Sequence, residues 1–222
     1  MRILRSISVL RTNMHSALSN NGAILVLSGP SGAGKSTIIH AASEEIGEYY
    51  FSISTTTRNP REGEMHGREY FFVSKEEFEA DIKAGNFLEY AEVHGNYYGT
   101  SLKPVREALA QGKLVIFDID VQGHRLVRAK MGDITTSAFI TPPTLGELEN
   151  RLRSRSTDDE NVILKRIHNA KKEILAIGEY DFTILNDTVE EAARRFVIVA
   201  NAARLKQSRD DQKEFISHWL GH

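Results

Sequence analysis

Gly29-Pro30-Ser31-Gly32-Ala33-Gly34-Lys35-Ser36 has the residue types and spacing of a phosphate cradle. It fits G-x-x-x-x-G-K-[ST], the loop with which nucleoside-triphosphate enzymes hold their substrate. Glycines let the backbone curl so that several N–H groups converge on one anion. The helix that such a loop feeds adds the positive end of its dipole. Lys35 has the reach to touch β- and γ-phosphates, and the Ser36 hydroxyl, with Thr37 beside it, can face a Mg²⁺ ion. Further along, Arg58 and Arg61 lie in the polar segment Ser54–Gly63. There Pro60 forbids regular helix and Asn59-Pro60 favours a turn, so both guanidiniums sit on a loop where they are available to an anion. Asp118 ends the apolar run Leu114-Val115-Ile116-Phe117, where a Mg²⁺-associated acid of a phosphate-loop enzyme would stand.

These groups need a frame, and the hydrophobic pattern supplies one. Ala23 to Leu27, closed by Ser28, reads as a buried strand, and Ser36 to Ile46 as a helix with Ile38, Ile39, Ala42 and Ile46 on its apolar face and Gly47 as its stop. Strand, glycine loop, helix is the setting the cradle requires. Tyr49–Ile53 and Tyr70–Val73 read as strands, and Ser74 with Glu77 forms a capping box for a helix ending near Gly85. Phe87–Val93 suits another strand, Asn96–Ser101 a turn, and Pro104–Gln111 a short helix stopped by Gly112. Leu114–Asp120 is the clearest central strand, followed by a helix over Gln122–Lys130 and a strand over Ser137–Ile140. Thr144 with Glu147, Thr157 with Glu160 and Thr188 with Glu191 have capping-box spacing. The middle pair opens a long helix carrying Ile163, Ile167, Ala170, Ile174 and Ile177, and Phe182–Leu185 is a late strand. Beyond Lys206 the tail is polar apart from Phe215, Ile216, Trp219 and Leu220, and reads as a frayed helix against the body.

Alternating strands and helices give an α/β fold, a phosphate-loop core with a parallel sheet flanked by helices. The strand-rich stretch 54–103 breaks that rhythm and reads as an inserted lobe, leaving a core of 22–53 and 104–205 and a C-terminal tail of 206–222. Residues 1–21 carry Arg2, Arg5, Arg11 and several serines but no acid; this resembles an organelle transit peptide in composition, yet the reading adopted is a disordered leader. A net charge of −2 over 222 residues offers no basic field for nucleic acid or a membrane surface. The absence of cysteine excludes disulfides and thiolate metal sites and fits a reducing, cytoplasmic setting. No apolar stretch approaches the ~20 residues that span a bilayer.

Ser54–Arg61, taken with Asn96–Thr100 and Asp118–Asp120, resembles guanylate kinase. The resemblance runs from about Gly22 to Arg204, with its motifs in family order: Gly29–Ser36, Thr56-Thr57-Arg58-Asn59-Pro60-Arg61, Gly95–Thr100, Asp118-Ile119-Asp120, Arg151-Leu152 with Arg155, Lys165-Arg166, and Asn186-Asp187. It implies transfer of the γ-phosphoryl group of ATP to GMP, giving ADP and GDP, with Mg²⁺ as cofactor and ATP and GMP as small-molecule substrates. By the same resemblance Gly29 to Thr37, Asn186 and Asp187 serve ATP, the last two bordering its adenine. Arg58, Arg61, Tyr70 and Tyr98 hold the GMP phosphate, while Ser54, Glu89 and Thr100 read guanine. Lys35, Arg61, Arg155 and Arg166 are its catalytic cations, the latter two on a lid of about 151–166, with Arg151 a lesser member. Ser36 and Asp118 face Mg²⁺, directly or through water; Asp118 also lies near the GMP pocket in the family, so its role stays open, as does that of Asp120.

The residue types make sense of that reaction. Two anionic substrates must meet, so cations must neutralise the contact, and positioning with charge stabilisation carries the rate. The GMP phosphate is already a nucleophile, so no dedicated general base is expected. Guanine offers N1–H and N2–H donors and an O6 acceptor, which a carboxylate and hydroxyls can match; adenine would leave Glu89 unpaired. Three rivals are weaker. Asp120-Val121-Gln122-Gly123 fits the D-x-x-G of a GTPase switch, but no N-K-x-D segment accompanies it. A non-catalytic guanylate-kinase-like binding module would have lost Gly34, Lys35 or Ser36. A kinase of AMP, UMP or dTMP would lack the Ser54, Glu89 and Thr100 set. Thr55 and Thr100 stand where some members carry other residues, which should not abolish function.

Overall fold

The computed structural model describes residues 22–93, 95–154 and 159–221. They fall into two compact units, one built from 24–48 and 116–206, the other from 22–23, 49–115 and 207–221. Strands β1 (Ala23–Ser28), β2 (Tyr49–Phe51), β7 (Leu114–Asp118), β8 (Thr135–Thr141) and β9 (Phe182–Leu185) form one sheet in the order β2-β7-β1-β8-β9. A second sheet has the order β4-β3-β6-β5, from β3 (Thr55–Thr56), β4 (Phe71–Phe72), β5 (Phe87–Val93) and β6 (Asn96–Ser101).

In the first unit β1 runs parallel to β8, from Ile24 opposite Thr135 to Ser28 opposite Phe139, and β8 parallel to β9, from Ala138 opposite Phe182 to Thr141 opposite Leu185. Every residue of β1 and β8 is buried, as strands covered on both faces must be. Helix α1 (Lys35–Ala42) leaves β1 through the glycine loop, with Ile38, Ile39 and Ala42 inward. It stops four residues short of the expected Ile46, because Ser43 turns back on His40, its N–H and hydroxyl both bonding that carbonyl. Ile46 still reaches the core from the following turn, and Gly47 at φ 68° redirects the chain. Helix α7 (Val189–Arg204), capped by Thr188, packs on α1, burying Ala192, Phe196, Val199, Ala200 and Ala203. Its Arg204 donates to the carbonyls of Ile46 and Glu48 at 2.8 and 2.7 Å, closing the end of the α1 turn.

Helix α4 (Val121–Met131) begins at Asp120, whose carboxylate accepts from the Gly123 N–H at 2.8 Å. Asp120 is therefore a helix cap and not part of the strand, which ends at Asp118. Helices α5 (Leu145–Ser154) and α6 (Glu160–Glu173) share a cluster of Leu148, Leu152, Ile163, Ile167 and Ala170. The long helix expected through Ile177 tightens into a 3₁₀ segment over Ile174–Glu179, which carries Ile174 and Ile177 onto a second cluster of Val121, Phe139, Ala176 and Tyr180. Thr157, the expected cap of α6, lies outside the described residues; Asp159 stands at the cap and the Glu160 carboxylate is held by Arg153 at 2.6 and 2.9 Å.

In the other unit Asn96–Ser101, expected as a turn, is strand β6, antiparallel to β5. Gly99 does not make a turn. It lies within the strand because a Cβ there would come 2.8 Å from the Glu89 carbonyl, and the reversal occurs earlier, at Gly95 with φ 78°. Tyr97 on β6 stacks on Phe78 at 5.2 Å, and Phe78 on Phe87 at 4.2 Å, an aromatic column that favours strand over turn. Phe78 comes from α2 (Lys75–Lys83), which starts at the expected Ser74–Glu77 capping box. Helix α3 (Leu102–Ala110), capped by Ser101, starts two residues before the expected Pro104. The tail forms a regular helix α8 (Arg209–Trp219), closed at its start by a Ser208–Asp211 capping box, with none of its residues buried.

One core residue carries a pH liability. His124 on α4 is 1% exposed and stacks on Tyr180 at 4.0 Å, and neither ring nitrogen has a hydrogen-bond partner among the described residues. Burial holds its pKa down; Arg128 and Arg125 push the same way, against Glu179 and Asp181. The unfolded imidazole takes its proton near about pH 6.5, the buried one only at lower pH, so stability is full above that value and falls as pH drops through it. His124→Phe keeps the stack and removes the titration. Denaturant unfolding at about pH 7.5, 6.5 and 5.5 should show a shallower loss for His124→Phe than for wild type; parallel slopes would rule out His124 as the source.

Candidate active site

The glycine-loop residues stand at the ends of parallel strands. Gly29 follows β1 directly, and at φ 144° a Cβ there would fall 1.9 Å from the Ile140 carbonyl of β8, so only glycine lets the loop leave the sheet at this point. The loop turns on itself through an Ala33 N–H bond to the Pro30 carbonyl at 3.0 Å, passing Ser31 and Gly32, and reaches Gly34 at φ 88°, the cap of α1. No side chain caps that helix, whose first turn presents Lys35, Ser36 and Thr37, the last two exposed. Lys35 Nζ donates to the Gly29 carbonyl at 2.8 Å and stands 3.6 Å from Asp118 Oδ1, at the end of β7. Burial pushes the Asp118 carboxyl above its ordinary range, and the Lys35 ammonium pulls it back. Ser36 and Asp118 are hard oxygen donors, and the described residues hold no group of three or more His, Cys, Asp or Glu able to bind a metal alone. Such a set suits Mg²⁺, which keeps its waters and takes phosphate oxygens instead of a full protein cage.

Asn186 follows β9 and is 3% exposed; its Nδ2 donates to the Ala33 carbonyl at 2.7 Å. Asp187 is exposed, and its carboxyl lies below the ordinary range because it accepts from the Thr188 N–H at 3.0 Å, with Arg195 nearby. Arg151 on α5 is spanned between Glu147 Oε1 and the Asn186 carbonyl, both at 2.8 Å. Arg166 is half-buried on α6, and Arg155 lies outside the described residues.

The second group of expected residues lies in the other unit, around β3, β4 and β6. Thr56 and Thr57 tie the chain to Tyr97: Thr56 Oγ1 donates to its carbonyl at 2.9 Å, and Thr57 Oγ1 accepts from its N–H at 2.9 Å. Arg58 leaves this anchor with its guanidinium over the Tyr70 ring at 5.5 Å, and Tyr70 meets Tyr98 edge-on at 6.1 Å. Arg58, Tyr70 and Tyr98 thus come together. Ser54 is half-buried, four residues before Arg58, its carbonyl accepting from the Phe71 N–H at 2.9 Å. Arg61 is exposed at the loop edge. On the neighbouring pair of strands the Thr100 hydroxyl donates to Glu89 Oε1 at 2.6 Å, so the expected base-reading carboxylate and hydroxyl are also brought together.

Two contacts escaped the sequence. Glu64 grips Arg58 with both carboxylate oxygens at 2.9 Å and accepts the Arg61 N–H at 2.7 Å, which holds its carboxyl below the ordinary range. Its only sequence signal is an acid three residues after Arg61 in a loop rich in cations. The other is the Asn186 bond to Ala33, made across 153 residues of chain, for which nothing local gives a sign.

Comparison with known proteins points one way. Residues 21–201 match the family model described as guanylate kinase. The chain is 59% identical to the guanylate kinase of Sulfurimonas denitrificans over 89% of this chain and 96% of that one, and 51% identical to that of Wolinella succinogenes over 90% and 93%. Its fold is similar to the crystal structure of guanylate kinase from Anaplasma phagocytophilum, with a TM-score of 0.65 and 32% identity, covering 91% of this chain and 97% of that one.

The Glu64 bonds should order the Arg58–Gly63 loop. Glu64→Ala removes the acceptor of the Arg61 N–H and should speed amide exchange at Arg61 roughly tenfold or more in a native-state exchange experiment. Exchange unchanged from wild type would mean the loop is held by other contacts.

Proposed function

The chain belongs to the guanylate kinase family, and from that membership we propose that it transfers the γ-phosphoryl group of ATP to GMP, giving ADP and GDP. A GMP phosphate oxygen forms the new bond to the γ-phosphorus as the bond from that phosphorus to the β-phosphate bridging oxygen breaks. The products feed guanine nucleotide synthesis and recycling in the cytoplasm. No helix among the described residues is long and apolar enough to cross a membrane. The observation that carries the acceptor assignment is the Thr100–Glu89 pair at 2.6 Å on strands adjoining the Arg58, Tyr70 and Tyr98 group. A carboxylate that already accepts one hydroxyl keeps lone pairs for N1–H and N2–H, while the Ser54 O–H can donate to guanine O6, as can that of Thr100 once it turns from Glu89. The guanidiniums of Arg58 and Arg61 suit a phosphate, since each can grip two oxygens.

On the donor side Gly29 to Thr37 enclose the phosphates, and the chain segment Asn186-Asp187 borders the adenine end. Lys35 exchanges its Gly29 and Asp118 partners for β- and γ-oxygens. Ser36 and Asp118 would face a Mg²⁺ ion bound with ATP, which would supply neutralisation of phosphate charge. Arg155 and Arg166, on a lid of about 151–166, add cations as the site closes and water is shut out. The acceptor groups belong to the inserted lobe 54–103, and the donor groups to the core of 22–53 and 104–205; residues 1–21 and 206–222 stand outside the chemistry. Nothing favours a non-catalytic binding module, since Gly34, Lys35 and Ser36 are all in place.

A panel of nucleoside monophosphates with Mg-ATP tests the reading. GMP should be preferred over AMP by about 10⁴-fold in kcat/KM, the scale on which sites that hydrogen-bond a base reject its mismatch. Glu89→Gln, which cannot accept both guanine N–H groups, should lose a large part of that preference. Equal rates with AMP would refute the guanine assignment. Lys35→Ala should lower turnover by about a hundredfold or more with an unchanged circular-dichroism spectrum; near-normal turnover would refute the donor assignment.

A further inference from the structure

We propose that the Asn186 side chain is a latch that holds the phosphate loop in its anion-binding shape, a positioning residue that acts through the Ala33 carbonyl and not on the adenine base. The inference rests on the reading of Gly29–Ser36 as a triphosphate site.

The peptide between Ala33 and Gly34 is the point of leverage. A trans peptide is planar, with its C=O and N–H pointing to opposite sides. Fixing the Ala33 carbonyl toward Asn186 therefore aims the Gly34 N–H the other way, toward the inside of the loop. Nothing intrinsic to the chain fixes that plane: Gly34 at φ 88° has no Cβ to resist rotation, and a flipped peptide would turn a carbonyl oxygen on the bound anion. The Asn186 amide supplies the missing constraint. Its Nδ2 donates to Ala33 O at 2.7 Å in a buried bond, and an added Cβ at Gly34 would lie only 2.3 Å from that nitrogen. The amide thus occupies the space a side chain at position 34 would need, so glycine and latch are complementary.

The latch is itself braced. The Asn186 N–H donates to the Thr141 carbonyl at 2.9 Å, and the Asn186 carbonyl accepts from Arg151, which Glu147 holds in turn. The amide orientation is set by the contact, because a flipped amide would oppose two oxygens. The remaining Oδ1 is buried without a partner among the described residues, so no other bond competes for the side chain's direction.

Two variants and two probes separate a latch from a base contact. Binding of Mg-ATP and of Mg-tripolyphosphate, which has no base, is measured by calorimetry for wild type, Asn186→Ala and Asn186→Asp, with GMP as the control. Asn186→Ala should weaken both phosphate probes by a similar factor, about tenfold for one lost buried hydrogen bond, and leave GMP binding within about twofold. Asn186→Asp places an oxygen against the Ala33 carbonyl at about pH 8 and should bind more weakly still. Once protonated its carboxyl can donate, and burial favours the neutral acid, so its affinity relative to Asn186→Ala should recover as pH falls toward about 5.5. That recovery is not expected of a residue that only supports folding. Weakening of ATP alone, with tripolyphosphate unaffected, would assign Asn186 to the base and overturn the latch, as would an Asn186→Asp variant without recovery at low pH. A wild type that binds neither phosphate probe would instead overturn the triphosphate reading beneath it.

Discussion

A lysine ammonium held at the end of a parallel sheet is the interaction on which the rest of this structure depends. Lys35 Nζ lies against the Gly29 carbonyl at 2.8 Å and 3.6 Å from the Asp118 carboxylate, only 16% exposed as a side chain. A cation withdrawn from water to this degree needs oxygen partners, and the fold supplies them from two strand ends and one loop. The fully buried β1 delivers Gly29, β7 delivers Asp118, and the helix α1 begun at Gly34 carries Lys35 back over both. Gly29 fits only because it lacks a Cβ under Ile140, and Gly34 because the Asn186 amide takes that space. Packing in the core and charge at the loop are thus one constraint seen from two sides.

The acceptor-side residues follow the same logic. Arg58 is paired with Glu64 as Lys35 is with Asp118. In both places a carboxylate holds a cation in position before any phosphate arrives, which keeps the site from being a cluster of unmatched positive charge. On the proposed function, a bound phosphate would substitute one anionic partner for another, a smaller change than desolvating a bare guanidinium or ammonium. Arg61 is fixed through its backbone N–H, while its side chain is exposed. The aromatic rings of Tyr70 and Tyr98 limit the directions Arg58 can take.

How much of this was legible follows from how local each signal is. The glycine loop, its strand and its helix were readable because motif and hydrophobic period agree over about 20 neighbouring residues. The Ser74–Glu77 box was readable for the same reason, as was the Thr188 cap, since caps are contacts over three residues. Errors arose where one residue type served two purposes. Gly99 looked like a turn and proved to be the flat place in a strand, and Asp120 looked like a strand end and proved to cap α4. Glu89 and Thr100 drew their significance from family resemblance alone, for a charged residue on a strand carries no mark of its partner. Glu64 and the Asn186 bond were beyond reach in a different way: each depends on which side chain the fold brings to a given atom, and no period or spacing encodes that. Arg155 and Thr157 were named from the sequence and lie outside the described residues.

The central claim is that the charge arrangement at the phosphate loop serves transfer and not hydrolysis. ATP labelled in its γ-phosphate, incubated with GMP, Mg²⁺ and the enzyme, tests this directly by following where the label goes. The account predicts that the label appears in GDP, with ADP formed in equal amount and inorganic phosphate negligible while GMP remains. Label released as inorganic phosphate at a comparable rate, with GMP unconsumed, would contradict it.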